Sequence, residues 1–346
     1  MIEQNIYNKR TARSEPKLKV WRYAGLMLTY KCSAECRFCY YNCSPDSGGL
    51  MEVNTAISAW KSLIDLAGDD AKIHITGGEP FLYFDRLAEI AIKAKQLGLK
   101  GLDSIETNAS WAADKKLISE RIKLLDDAGM DRLKISFDPF HAEFIDRKNV
   151  ELLAETASEI IGADRVMVRW EKYLQKPVNS PDKTSEVRMK EYIDATRDFP
   201  CRFTGRAAGE LATMLADKTV EQIAETDCKN SFLGAKGVHI DPYGNVFSGL
   251  CSGIIVGNVN DRPLDEIWKN FDPQRDEFFD IVFNKSPAGM LNKAIENGYN
   301  LKGTYAGKCH LCTDIRAFFF DKGLLDKIIG PSDCYGRHVE QIKGSQ

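Results

Sequence analysis

Cys32, Cys36 and Cys39 stand in a CxxxCxxC triplet directly after the apolar run Ala24 to Tyr30. Soft thiolates select iron–sulfur clusters or zinc. Zinc loops usually show CxxC with a second pair elsewhere, so a triplet points to iron–sulfur. Three thiolates can hold three irons of a four-iron cluster. The fourth iron is then open to another ligand, so this loop predicts chemistry as well as structure. About 40 residues on lies Thr76-Gly77-Gly78-Glu79-Pro80, again behind an apolar run. Two glycines let the backbone approach a ligand closely, and Glu79 adds an acceptor for an ammonium. A second set, Cys228, Cys251, Cys309, Cys312 and Cys334, has spacings that suit a cluster or a four-cysteine zinc site.

The triplet, with Phe38 before its last cysteine, resembles the signature of the radical S-adenosylmethionine (radical SAM) superfamily, and Gly77 to Pro80 resembles that family's GGEP motif. The resemblance implies a [4Fe-4S] cluster on Cys32, Cys36 and Cys39 whose open iron takes S-adenosylmethionine. Reductive cleavage then gives a 5′-deoxyadenosyl radical that abstracts hydrogen from the substrate. It also implies that Gly77, Gly78, Glu79 and Pro80 hold the methionine amino group, and that Phe38 packs at the cofactor. Asn108 fits the polar residue placed near S-adenosylmethionine, although Ala109 stands where the family has glycine. Ser136 and Asp138 resemble a Ser-x-Asp near ribose or substrate, or form a turn. Arg169 pairs with the cofactor carboxylate or makes a structural ion pair. The C-terminal hairpin, helix and CxxC resemble the twitch extension, a shortened SPASM domain. That implies an auxiliary [4Fe-4S] cluster on Cys228, Cys251, Cys309 and Cys312, with Cys334 a spare that could replace one. Zinc remains the competing occupant.

His141, in Asp138-Pro139-Phe140-His141-Ala142-Glu143, is read from chemistry alone. It is a candidate proton donor or acceptor, or a loop histidine capping a helix. Arg206 could bind a substrate carboxylate or phosphate. Cys43 and Cys201 read as buried or incidental thiols.

These groups must be positioned by a scaffold. Candidate strands are 24–30, 72–76, 102–107, 132–137, 165–170 and 202–206. They alternate with helical stripes such as Ile57-Trp60-Ile64, behind a cap at Asn54, and Leu87-Ile90-Ala94. Strand-then-helix repeats imply parallel strands with right-handed crossovers. The expected fold is α/β: a partial (β/α)6 TIM-like barrel, then a small α+β twitch-like domain with a β-hairpin. The chemical motifs follow strand ends, where such barrels carry their sites. The expected organisation is a loose arm over 1–17, a core over 18–210 and an auxiliary-cluster domain over 211–346.

The 346 residues carry a net charge of −3 and are 43% hydrophobic. Interspersed charges give no reason to expect nucleic acid as partner. No apolar run reaches the roughly 20 residues of a membrane span. Ten cysteines without a secretory signal suggest metal binding in a reducing cytoplasm. The function expected is a radical SAM enzyme acting on a peptide or small-molecule substrate by net oxidation, cross-linking or rearrangement. Flavodoxin or ferredoxin would serve as reductant. The alternative is a non-catalytic iron–sulfur or zinc-binding protein on a decayed barrel.

Overall fold

The computed structural model describes residues 2–9, 12–176, 184–199, 202–249 and 251–336; Cys201 lies outside them. Five strand–helix units open the fold. Strands β1 (Tyr23–Met27), β2 (Lys72–Thr76), β3 (Leu102–Thr107), β4 (Arg132–Ser136) and β5 (Val166–Arg169) are linked by helices α1 (Val53–Ala67), α2 (Phe84–Gln96), α3 (Lys115–Asp127) and α4 (Arg147–Ile161). The strands pair in parallel, β5-β4-β3-β2-β1. Their alternation decides the layers. Ile73, Ile75, Ile105, Leu133 and Ile135 are buried with Trp60, Leu87, Ile90, Ile122 and Leu153 of the helices. Fully burying one such side chain stabilises the fold by about 1.5–3 kcal/mol. The opposite sheet face carries His74, Thr76, Glu106, Ser136 and Arg169, all lining one cavity. At α1 the cap differs from the Asn54 reading: Glu52 occupies the N-cap, without a side-chain cap bond.

The sixth parallel strand is not 202–206. Residues 202–204 have no regular structure, Gly205 turns at φ 55°, and Arg206 begins the short helix Arg206–Glu210. The sixth strand is β6 (Gly237–Ile240), the first arm of the hairpin expected at 238–251, and it lies parallel to β1. Strands β7 (Asn245–Ser248) and β8 (Ile255–Asn258) follow antiparallel. The sheet is thus eight-stranded, β5-β4-β3-β2-β1-β6-β7-β8, and not closed. The hairpin expected in the small α+β domain continues the barrel sheet along the free side of β1.

The arm is not loose either. Asn5 is fully buried and donates to the carbonyls of Trp268 (2.8 Å) and Phe271 (3.0 Å). Asn8 both donates to and accepts from Leu18. Among the described residues no helix is long and apolar enough to cross a membrane.

Candidate functional site

The cysteine loop leaves β1 and crosses the C-terminal strand ends. Its shape is set by backbone pairing and by one arginine. Cys32 N–H donates to the Ser44 carbonyl and Cys39 N–H to that of Cys36. Arg206 reaches in from its helix and donates to the carbonyls of Cys36 (3.1 Å), Asn42 (3.1 Å) and Cys43 (3.0 Å), while its own N–H binds the Cys39 carbonyl. The guanidinium is therefore a clamp on the loop, not the anion receptor its position had suggested. Cys32, Cys36, Cys39 and also Cys43 line one cavity of about 360 Å³.

Burial first, and then the charges of neighbouring acids and thiols, raise the Cys32 thiol to about 12 and Cys36 well above its ordinary value. A hydrogen bond with Cys43 draws Cys39 down. Two buried thiols that resist ionising beside a third that ionises readily fit a cationic metal group, which stabilises all three as thiolates. Asn108 places its amide 3.5 Å from the Cys32 sulfur. Among the described residues no three His, Cys, Asp or Glu side chains meet as a single-ion site.

After β2, the glycines pack against the cysteine loop itself. A Cβ at Gly78 would lie 2.1 Å from the Lys31 carbonyl oxygen, and one at Gly77, where φ is 131°, 2.6 Å from that of Thr29. Gly78 and Glu79 N–H groups donate to those same two strand-end carbonyls. Gly77 and Gly78 line the cavity. Glu79 stands behind them. It accepts from the Thr107 hydroxyl (2.8 Å), Phe81 N–H (3.1 Å) and Asn108 N–H (2.7 Å). Burial nonetheless pushes its carboxyl up to about 7 against those bonds. Pro80 is buried at the start of the following 3-10 turn.

After β3, Ala109 adopts φ 65°, the left-handed conformation that glycine takes most easily, so the loop keeps the shape a glycine would give. After β4, Ser136 and His141 reach the cavity, and Asp138 serves His141. Its Oδ1 accepts from the Phe140 and His141 N–H groups (2.8 and 2.9 Å), and Oδ2 accepts from His141 Nδ1 at 2.7 Å. Burial opposes protonation of His141, but the Asp138 charge, the Asp138 hydrogen bond and the nearby Cys39 together outweigh it and raise the imidazole. Asp138, expected near the cofactor, orients a histidine and is not among the residues that line the cavity. Glu143 is held by Arg37 and Tyr192. After β5, Arg169 and Trp170 line the wall with the cation over the indole, and Phe38 stacks on Phe140 (5.2 Å) and meets Trp170 edge-on.

The sequence reading missed Tyr41, His74, Glu106 and His239, which line the same cavity. The alternation in Lys72-Ile73-His74-Ile75-Thr76 and Val238-His239-Ile240 carries the signal: each histidine lies on the polar face of an otherwise buried strand.

The second cysteine set converges around the N-terminus of the helix Lys308–Asp321, which bears Cys309 and Cys312. Cys228 and Cys309 are raised chiefly by burial and then by the charges of the other thiols. Arg316, one turn beyond Cys312, is 2% exposed and hydrogen-bonded to Cys312. It also donates to the Ser252 carbonyl (2.9 Å), Tyr335 hydroxyl (2.8 Å) and Thr313 hydroxyl (3.1 Å). Its buried Nε has no partner among the described residues. A spare donor on a cation beside Cys312 and Cys251 fits an anionic thiolate-bound metal group. Cys334 stands apart, against Tyr30 (3.4 Å) and near Asp241.

A model of the Radical SAM superfamily matches residues 26–161. The GTP 3′,8-cyclase of Limosilactobacillus fermentum is 31% identical over 127 residues, 35% of each chain. The "Putative peptide biosynthesis protein YydG" of Bacillus subtilis is 27% identical over 139 residues, 38% of this chain and 40% of that protein. The chain thus spans well under half the length of these relatives. Among solved structures, BtrN in complex with AdoMet and 2-DOIA overlays with a TM-score of 0.47 at 14% identity, covering 78% of this chain and 89% of that one. The anSMEcpe complex with AdoMet and Cp18Cys peptide gives 0.40 at 14%, covering 87% and 97%. The matched residues 26–161 carry the cysteine loop, the glycine loop and the whole of strands β2, β3 and β4, and over them this chain is similar to the radical SAM superfamily, whose members use a [4Fe-4S] cluster and S-adenosylmethionine.

Proposed function

We propose that the chain is an enzyme that cleaves S-adenosylmethionine reductively and abstracts hydrogen from a polar substrate held in the same cavity. The observation that carries this reading is the meeting of Cys32, Cys36, Cys39, Gly77, Gly78, Asn108 and His141 around one space of about 360 Å³. The bound cofactors supply the hydrogen-atom abstraction; the chain's residues bind, orient and exclude water. Cys32, Cys36 and Cys39 hold the cluster, and Asn108 donates toward the Cys32 sulfur. Gly77 and Gly78 present the backbone of a loop braced by Glu79, which suits the methionine end of the cofactor. Arg169 offers a cation for its carboxylate. His141, oriented by Asp138 through Nδ1, can give or take a proton at Nε2.

Cys228, Cys251, Cys309 and Cys312 hold the auxiliary cluster, with Arg316 balancing its charge. The substrate is a peptide or a small molecule, and the outcome is a net oxidation, cross-link or rearrangement. The reductant is a flavodoxin- or ferredoxin-like protein in a reducing cytoplasm, in keeping with nine described cysteines that form no disulfide.

Anaerobic reconstitution followed by dithionite and S-adenosylmethionine tests the reading. It expects about eight irons per chain, two four-iron clusters, and formation of 5′-deoxyadenosine that Cys39→Ala abolishes. Iron bound without 5′-deoxyadenosine would favour a non-catalytic iron–sulfur protein. About four irons, with zinc in the second set, would remove the auxiliary cluster.

A further inference from the structure

The cavity is also lined by Tyr41, His74, Glu106 and His239, which belong to none of the cofactor motifs. His74 on β2, Gly25 on β1 and His239 on β6 lie in register across three neighbouring strands. Gly25 is what lets the two rings lean together. A Cβ there would fall 2.3 Å from His239 Cδ2 and 2.5 Å from His74 Nε2. The rings meet edge to face at 5.3 Å. Burial lowers His74 to about 4 and lowers His239 too, so both are neutral near pH 7.

The His239 tautomer follows from its partner. Nδ1 lies 2.9 Å from the Gly249 carbonyl oxygen, which can only accept, so Nδ1 carries the hydrogen and Nε2 is an acceptor. Beside it, with ring centroids 5.8 Å apart, is Tyr41. The Tyr41 hydroxyl is buried and has no hydrogen-bond partner among the described residues. A buried phenol without a partner costs roughly 1–3 kcal/mol unless a ligand or water completes it. Glu106 lines the same cavity. It accepts from Thr76 at 2.8 Å, and His74, Arg169 and Lys134 stand around it. One unpartnered O–H and one imidazole acceptor, on rings 5.8 Å apart that line the same cavity, match a group that both donates and accepts. An alcohol hydroxyl is such a group. A carboxylate only accepts, and an ammonium only donates.

We propose that Tyr41 and His239 form a substrate subsite for a carbinol group, the alcohol donating to His239 Nε2 and accepting from the Tyr41 hydroxyl. The carbinol is that of a small polyol or of a seryl side chain in a peptide. This subsite rests on the radical SAM reading above and names its substrate chemistry. Tyr41 belongs to the cysteine loop and His239 to the C-terminal hairpin, so the substrate bridges the two halves of the sheet.

The test is the origin of the hydrogen in 5′-deoxyadenosine. The reconstituted holoenzyme is turned over anaerobically with dithionite, S-adenosylmethionine and one of four probes. Two carry hydroxyls: perdeuterated glycerol, and Gly-Ser-Gly deuterated on the seryl carbons. Two do not: perdeuterated dimethoxyethane, and Gly-Ala-Gly deuterated on the alanyl carbons. Mass spectrometry reads deuterium per 5′-deoxyadenosine formed, a ratio that a poorly folded variant does not change. The subsite expects one hydroxyl probe to exceed its matched control at least about tenfold: glycerol for a polyol substrate, the peptide for a seryl one. Tyr41→Phe and His239→Gln should each reduce that excess about tenfold. Equal labelling by probe and control, no labelling by any probe, or an excess unchanged in both variants would overturn the subsite while the cofactor reading stands. Absence of all 5′-deoxyadenosine would overturn the cofactor reading and the subsite with it.

Discussion

A carboxylate already holding several donors is an architectural group, and Glu79 and Asp138 are both of this kind. Each stands where motif reasoning expected a ligand contact, and each holds residues that line the cavity. For Asp138 the consequence is measurable. Its charge raises the His141 imidazole, so protonated His141 favours the folded state. That contribution is complete below the unfolded histidine value, near 6.5, and fades as pH rises through the higher folded value. Asp138→Asn should lower the His141 titration midpoint seen by NMR and flatten the fall in urea midpoint above about pH 6.5; an unmoved midpoint would remove Asp138 from this role. Arg206 makes a second case. Three carbonyls of the cysteine loop depend on it. Hydrogen bonds from a charged group contribute roughly 1.5–3 kcal/mol each, so Arg206→Ala should cost on the order of 3 kcal/mol in urea unfolding and reduce iron retained after reconstitution. At the far site, Arg316→Gln removes a buried cation and a donor beside Cys312. The EPR redox titration of the auxiliary cluster should move to a more negative midpoint, with Arg316→Lys in between.

At the scale of elements, the loops after β1 and β2 form one unit. The Gly78 position leaves no room for a methyl group, so Gly78→Ala should cost on the order of 3 kcal/mol and weaken S-adenosylmethionine binding measured by equilibrium dialysis. This part of the fold was legible in sequence. Five strands and their helices fell within a few residues of their observed bounds, because period-2 runs such as Lys72 to Thr76 and stripes such as Ile118-Ile122-Leu125 encode them locally. The strand expected at 202–206 failed for a local reason as well. Gly205 approaches the Tyr40 carbonyl so closely that a Cβ would sit 2.3 Å away, and the chain turns there to deliver Arg206 to the cysteine loop. What could not be read was pairing between distant segments. Nothing in Val238-His239-Ile240 announces that it lies beside Tyr23 to Leu26. The Tyr41–His239 subsite exists only through that pairing, so it was invisible to motif spacing. Asn5 was missed similarly, its buried bonds being to residues more than 260 positions away.

For the whole molecule, the eight-stranded sheet makes the expected boundary at 210 a poor place to cut. A chain ending there would leave the β1 edge without β6, and an unpaired edge of buried strands invites aggregation. Truncation after residue 210 should give insoluble protein, whereas a stable, monomeric fragment in ultracentrifugation would show that the barrel stands alone. The same pairing has a consequence for synthesis. The chain is made from its N-terminus, so β1 must wait for residues 237–240 to leave the ribosome before its second side is satisfied. Until then the cysteine loop hangs from a half-finished sheet with its thiols reachable. The thiols proposed to hold the cluster thus sit on a loop whose supporting strand gains its second neighbour only after two thirds of the chain has been made.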